Sequence, residues 1–274
     1  MSAFVRLQTI LPQHLISRAA GGLAASEARW VRGPLIRAFA KAYGVDMAQA
    51  ERPDLADYRS FNDFFSRALA PDARPIDPAP GAVVSPADGV VSQTGIIEEG
   101  HLLQAKGIRY SFQALAGGCA RPEFEGGPFA TVYLSPSDYH RVHLPLAGRL
   151  VRTVAVPGKL FSVNAATEAG VEGLFAVNER LVMEFETAHG PMLVVMVGAM
   201  IVASIETVWP GPASPYRERT VTEHDRAFET GAEIGRFLLG SSVVLAFERG
   251  RVDLDAALAA GTVLRMGEAI GTAR

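Results

Sequence analysis

Apolar residues recur at helical spacing through residues 1–70 and then give way to short β-like runs. Phe4, Leu7, Ile10 and Leu11, followed by Leu15 and Ile16, keep the three-to-four-residue period of a helix with one apolar face. Pro12 breaks or restarts that helix, because proline has no amide hydrogen to donate, and Gly21-Gly22 is expected to stop it. A second helical stretch is predicted over residues 26–43, jointed at Gly33-Pro34. The clearest helix is short. Ser60 stands at its cap, Asp63 completes a capping box, and Phe61, Phe64, Phe65 and Leu69 form one apolar stripe.

From Pro71 the texture changes. The Pro- and Asp-rich stretch 71–81 reads as a linker or long loop. Beyond it come short runs rich in Val, Leu and Ile, punctuated by Gly, Pro and Asp, over residues 82–84, 89–92, 130–134, 149–156, 181–185, 193–197 and 243–247. That spacing predicts a mainly antiparallel β body. The expected fold class is therefore α+β, with a helical region at 1–70 and a β-rich domain at 71–274. The longest apolar run, Leu193–Ala203, is closed by Ser204 and falls well short of the roughly 20 residues needed to cross a bilayer. Arg6, Gln8, Pro12, Gln13 and His14 interrupt any apolar core that a signal peptide would need.

Composition narrows the chemistry. A chain of 274 residues can bury a core without staples, and its single cysteine, Cys119, excludes an internal disulfide framework and a multi-cysteine metal site. The net charge of −3 argues against a broad phosphate-reading face, so no nucleic-acid partner is expected. The charge is uneven, however. Residues 1–45 carry Arg6, Arg18, Arg29, Arg32, Arg37 and Lys41 against Glu27, a net of +5, which leaves −8 for the remainder. A basic, apolar N-terminus on an acidic body points to an anionic surface, and a membrane is the first candidate.

Three constellations carry candidate chemistry. Ser85-Pro86-Ala87-Asp88-Gly89 has the Asp-Gly signal of a hairpin turn. Tyr139-His140-Arg141-Val142-His143 holds two histidines that an extended chain would face to opposite sides, so they are expected to do different jobs. No cysteine cluster or HExxH pattern accompanies them, so no metal is expected. Leu239-Gly240-Ser241-Ser242 interrupts an apolar strand, where glycine marks a bulge or a close backbone approach. In the order Asp88, histidine, Ser241, these residues are the set that activates a hydroxyl. Alone that set suggests a serine hydrolase, although the G-x-S-x-G elbow is absent.

Together with Tyr58–Phe65, Leu160–Asn164, Leu174–Arg180 and Ser204–Trp209, the three segments resemble the bacterial, membrane-associated phosphatidylserine decarboxylases over nearly the whole chain. One departure shows: the family's Leu-Gly-Ser-Thr has Ser242 in place of Thr here, which keeps a hydroxyl. The resemblance implies that Ser241 attacks the carbonyl of Gly240, and that elimination and hydrolysis leave a pyruvoyl group on a small chain, 241–274, split from a large chain, 1–240. It implies His143 as the base with Asp88 as its orienter. His140 becomes the candidate for protonating the product or holding the head group, and Ser162 for a head-group contact. The implied reaction is decarboxylation of phosphatidylserine through a Schiff base with the pyruvoyl group, without a metal. A homodimer at the cytoplasmic face of the cell membrane is implied too, with residues 1–70 as the membrane-associating region. The competing readings are a pyruvoyl decarboxylase of a soluble amino acid, an uncleaved serine hydrolase, and a non-catalytic membrane-binding protein.

Overall fold

The computed structural model describes residues 3–199, 205–238 and 241–274. Helices α1 (Ala3–Ile10), α2 (Gln13–Ala24), α3 (Arg29–Tyr43) and α4 (Phe61–Phe65) come first, and Pro12 stands between α1 and α2 as expected. The Gly21-Gly22 pair does not end α2, whose buried Ala24 fixes its last turn. Nor does Pro34 divide α3. Proline removes one helical hydrogen bond, but packing outweighs that loss: Ile36, Leu35 and Phe39 close on Tyr58, Phe61, Phe64 and Phe65. Ser60 caps α4 by accepting from the Asp63 amide (3.1 Å). The Asp63 carboxylate reaches the amide of Arg59 and the guanidinium of Arg52 instead of closing the box on Ser60.

The strands follow in the order β1 (Ala82–Val84), β2 (Gly89–Ile96), β3 (His101–Leu103), β4 (Arg109–Ser111), β5 (Pro128–Leu134), β6 (Arg141–His143), β7 (Gly148–Val156) and β8 (Arg180–Thr187). Then come β9 (Gly190–Val197), β10 (Ile205–Thr207), β11 (Thr220–Phe228), β12 (Glu233–Phe237), β13 (Ser241–Phe247), β14 (Val252–Leu254), β15 (Val263–Leu264) and β16 (Ala269–Ala273). Among the described residues one large antiparallel sheet runs β11-β7-β8-β9-β13-β5-β2-β15. Smaller sheets, β10-β12-β6 and β1-β16-β14, accompany it. Every run read as β in the sequence lies within a strand, which bears out the α+β class.

The large sheet is buried on both faces. Along β13, Val243, Leu245 and Phe247 enter one core with Val132, Met183 and Trp209, while Val244 and Ala246 enter a second with Phe112, Phe161 and Phe175. Double burial is why β9 and β13 read as unbroken apolar runs instead of alternating ones. The first part of the Leu193–Ala203 run is β9, whereas residues 200–203 lie outside the described residues. No helix among the described residues is long and apolar enough to cross a membrane.

Candidate active site

Strand register gathers the three sequence constellations at one end of the large sheet. β5 lies between β13 and β2 and runs antiparallel to both. Its C-terminal end therefore meets the N-terminal ends of its neighbours: Leu134 pairs with Ser241, and Tyr133 pairs with both Ser242 and Val90. Gly89 is required there by space, since a Cβ would stand 2.3 Å from the Tyr133 carbonyl oxygen. The 85–89 segment is not a hairpin. It carries the chain from β1 in one sheet to β2 in another, and the Pro86 carbonyl accepts from the His143 amide (2.8 Å). On the other side β6 pairs with β12, and the Phe237 amide donates to the His140 carbonyl (2.9 Å). The chain thus passes the histidines just before it reaches Ser241. Gly240 lies outside the described residues, and of Ser241 only the backbone is described.

The expected contact between Asp88 and His143 is not formed. Asp88 instead takes a two-point contact from Arg74 (Nε to Oδ1, 2.8 Å; Nη2 to Oδ2, 2.5 Å) and accepts from the Met266 amide (2.9 Å). A guanidinium fork matches a carboxylate better than one imidazole edge does. Arg74 is itself held by Gln49 and its hydrogen bond to Asp88 raises its pKa.

His143 is oriented by a carbonyl. Its Nδ1 lies 2.8 Å from the Gly231 oxygen, which can only accept, so Nδ1 carries the hydrogen. Nε2 then holds a lone pair and accepts from the Tyr139 hydroxyl at 2.9 Å. Burial pushes the His143 pKa below its usual value, while the Gly231 hydrogen bond and the charges of Glu233 and Asp88 pull it back. His143 is therefore a neutral imidazole at pH 7 with its basic nitrogen fixed in direction. Burial also pushes the Tyr139 phenol up, which keeps it a hydrogen-bond donor.

His140 has a different environment, as the extended-chain argument predicts. It is fully buried and stacks on Phe65 with ring centroids 4.0 Å apart. No side chain among the described residues bonds its ring nitrogens, which lie against the backbone of Ser135 and Pro136. Burial first, then the charge of Arg67, lowers its pKa to about 3. Ser242 Oγ is buried and has no partner among the described residues. A buried polar atom without a partner is costly and rare.

Ser162 is tied down. Its Oγ accepts from Gln8 Nε2 (2.9 Å) and Asn164 Nδ2 (3.2 Å), and its amide donates to Gln8 Oε1 (2.9 Å). It pins α1 to the 160–164 loop. Asn178 links that loop onward to Gly198, just past the end of β9, through Nδ2 bonds to the Phe161 and Gly198 carbonyls.

Sequence reasoning missed Arg67, Arg74, Phe65 and Tyr139 as parts of this site. Tyr139 stood in a quoted motif without a role. Phe65 was read only as core. Arg74 lies in the 71–81 linker, where one cation carries no positional signal.

The sequence model described as phosphatidylserine decarboxylase matches residues 61–272, and a second, described as PSD, matches residues 3–44. The chain belongs to the phosphatidylserine decarboxylase family. It is 54% identical to a phosphatidylserine decarboxylase proenzyme of Azotobacter vinelandii over 279 residues, which is 98% of each chain. It is 52% identical to that of Pseudomonas fluorescens over 278 residues, 98% of this chain and 96% of the relative. The counterpart in Ectopseudomonas mendocina is 51% identical over 280 residues, 99% of this chain and 98% of the other. The match of a phosphatidylserine decarboxylase model from Phe61 onward takes in every element that meets at the sheet end, α4 included.

Proposed function

We propose that the chain is a proenzyme that cleaves itself between Gly240 and Ser241 and then decarboxylates phosphatidylserine to phosphatidylethanolamine. The observation that carries this reading is the sheet end where Ser241, Asp88 and both histidines converge. The products are a large chain, 1–240, and a small chain, 241–274, whose new N-terminus carries a pyruvoyl group made from Ser241. Such a group supplies an electron sink for the pair released when the carboxylate leaves. The position suits it, because residue 241 begins β13 opposite Leu134, from which the 135–140 loop leads directly to His140.

In cleavage, His143 Nε2 takes the Ser241 proton as the hydroxyl attacks the Gly240 carbonyl. Tyr139 surrenders its hydrogen bond to Nε2 at that moment, while the Gly231 carbonyl keeps the imidazole in its tautomer. Asp88 acts through its charge, raising the proton affinity of His143, and through its backbone neighbours, which seat His143. In decarboxylation, His140 is neutral until a negative charge arrives beside it. The anionic substrate raises its proton affinity, and the ring then delivers a proton to the product carbon. Ser162 serves by holding the 160–164 loop.

Purified protein is expected to show two chains on a denaturing gel, to release carbon dioxide from phosphatidylserine, and to release none from free amino acids. One intact chain without activity would defeat this reading. Activity on free amino acids alone would move the substrate to the soluble class.

The helical region docks on the bilayer in the same proposal, at the cytoplasmic face, and the enzyme is a homodimer. Large exposed apolar residues gather there: Ile10 is 83% exposed, Trp30 82%, Leu15 59% and Leu23 53%. Basic residues beside an anionic surface each contribute about 1 kcal/mol, and apolar side chains enter the acyl boundary. Changing Arg6, Arg18, Arg29 and Arg32 to Glu is expected to abolish most co-sedimentation with anionic vesicles while self-cleavage continues. Undiminished sedimentation would remove the electrostatic part of the idea.

A further inference from the structure

A cavity of about 410 Å³ opens beside Asp88 and is lined by Arg67, Arg74, Gly89, Ser135, Asp138 and Tyr139 among others. Its floor is the same sheet end that carries residue 241, because Gly89 and Val90 begin β2 next to Tyr133. Two largely buried cations line it. Arg74 is fully committed to Asp88, Gln49 and the Ala73 carbonyl. Arg67 is not. Only 4% exposed, it donates Nη2 to the carbonyls of Ser137 (2.9 Å) and Asp138 (3.3 Å). Its Nε and Nη1 are buried with no partner among the described residues.

The acidic neighbours do not neutralise it by contact. Asp88 is taken by Arg74, and Asp138 accepts from the Ser135 amide at 2.6 Å. A buried guanidinium without a carboxylate is costly to keep, and each of the two vacant donors can give one charge-assisted hydrogen bond to an anionic oxygen. The loop that Arg67 holds, 135–140, joins Leu134, the partner of Ser241, to His140. An anion received by Arg67 is therefore received next to the reacting end of the sheet.

We propose that Arg67, in this cavity, seats the phosphodiester of the substrate head group; this rests on the reading of the chain as a phosphatidylserine decarboxylase. The head group offers two anions, a phosphodiester and a carboxylate, and the chemistry separates them. An ion pair to the carboxylate would stabilise the substrate more than the transition state, since that charge disperses as carbon dioxide departs. The phosphodiester keeps its charge in substrate, transition state and product. A contact to it binds all three alike and sets KM without slowing the chemical step.

The test uses the full chain with R67M, which keeps apolar bulk, and R67K, which keeps charge but loses the planar set of donors. In R67M, KM for phosphatidylserine in mixed micelles is expected to rise on the order of tenfold, the loss of one charge-assisted contact. R67M should still cleave into two chains, and R67K should fall between R67M and the parent. In the parent enzyme, glycerophosphoethanolamine should compete with substrate while ethanolamine alone does not, and R67M should weaken that competition by the same factor as KM. An unchanged KM in R67M, or a loss confined to kcat, would overturn the proposal. Inorganic phosphate competing as well as the diester would overturn the head-group assignment, leaving a site for free phosphate. Should R67M fail to fold, the parent's inhibition pattern decides alone: no competition from the diester rejects the seat. A parent that neither cleaves nor releases carbon dioxide would instead defeat the functional reading on which the proposal rests.

Discussion

Ser241→Ala is expected to leave a single chain of 274 residues with no decarboxylase activity. The substitution removes one hydroxyl at the first residue of β13, whose backbone ladder to Leu134 does not depend on the side chain. Folding should therefore be retained, with a melting temperature close to that of the parent proenzyme. What disappears is the nucleophile, and with it the only route in the proposed scheme to a carbonyl at position 241. Ser242 should not substitute for it. Successive strand residues face opposite sides, and Ser242 shares its face with Val244 and Ala246, which enter the second core. Its hydroxyl is buried on that second-core side of the strand. Intact mass spectrometry reads the result directly: one full-length mass, against a large chain and a blocked small chain for the parent. A Ser241→Ala protein that still splits after residue 240, or that decarboxylates without splitting, would end the proposed mechanism.

How far the sequence anticipated this site depended on what kind of signal each residue leaves. The strands were legible because burial on both faces demands unbroken Val, Leu and Ile, as in β9 and β13. The helices were legible in place but not in extent, because local breakers were outweighed by packing: Pro34 by the aromatic cluster, Gly21-Gly22 by Ala24. The candidate residues Asp88, His140 and His143 do meet at one sheet end, but their pairings were not legible. Sequence supplies residue types, and partners are chosen by geometry over long separations. Arg74 reached Asp88 out of a stretch that read only as linker, and Gly231 fixed the His143 tautomer with a backbone carbonyl, a group every residue has. Ser162 was read as a head-group contact and is found holding Gln8, 154 positions away, a pairing that no local pattern announces.

The two histidines should separate cleavage from decarboxylation. His143→Ala removes the nitrogen that takes the serine proton, and loss of a positioned general base slows a step by about 10²–10⁴-fold. Over hours the protein should remain one chain. Because the substitution also frees Tyr139 and the Gly231 carbonyl, a thermal melt must accompany it to show that the fold persists. His140→Phe keeps the stack on Phe65 and deletes only the ring nitrogens, so it should cleave normally and decarboxylate at about one hundredth of the parent rate. The pH dependence supplies a further constraint. His143 acts as a base when unprotonated, and burial holds its pKa below the usual 6.5, so cleavage should rise with pH along a limb whose midpoint lies below pH 6.5. Asp88→Asn removes a negative charge that raises that pKa and leaves the Arg74 charge uncompensated. Both changes favour the neutral imidazole, and the rising limb should therefore move to lower pH while the plateau falls, since a less basic nitrogen is a weaker proton acceptor. A limb that stays in place would mean that Asp88 acts by holding Arg74 and Met266 alone. Reversal of the phenotypes, with His140→Phe uncleaved and His143→Ala cleaved, would exchange the roles assigned to the two rings.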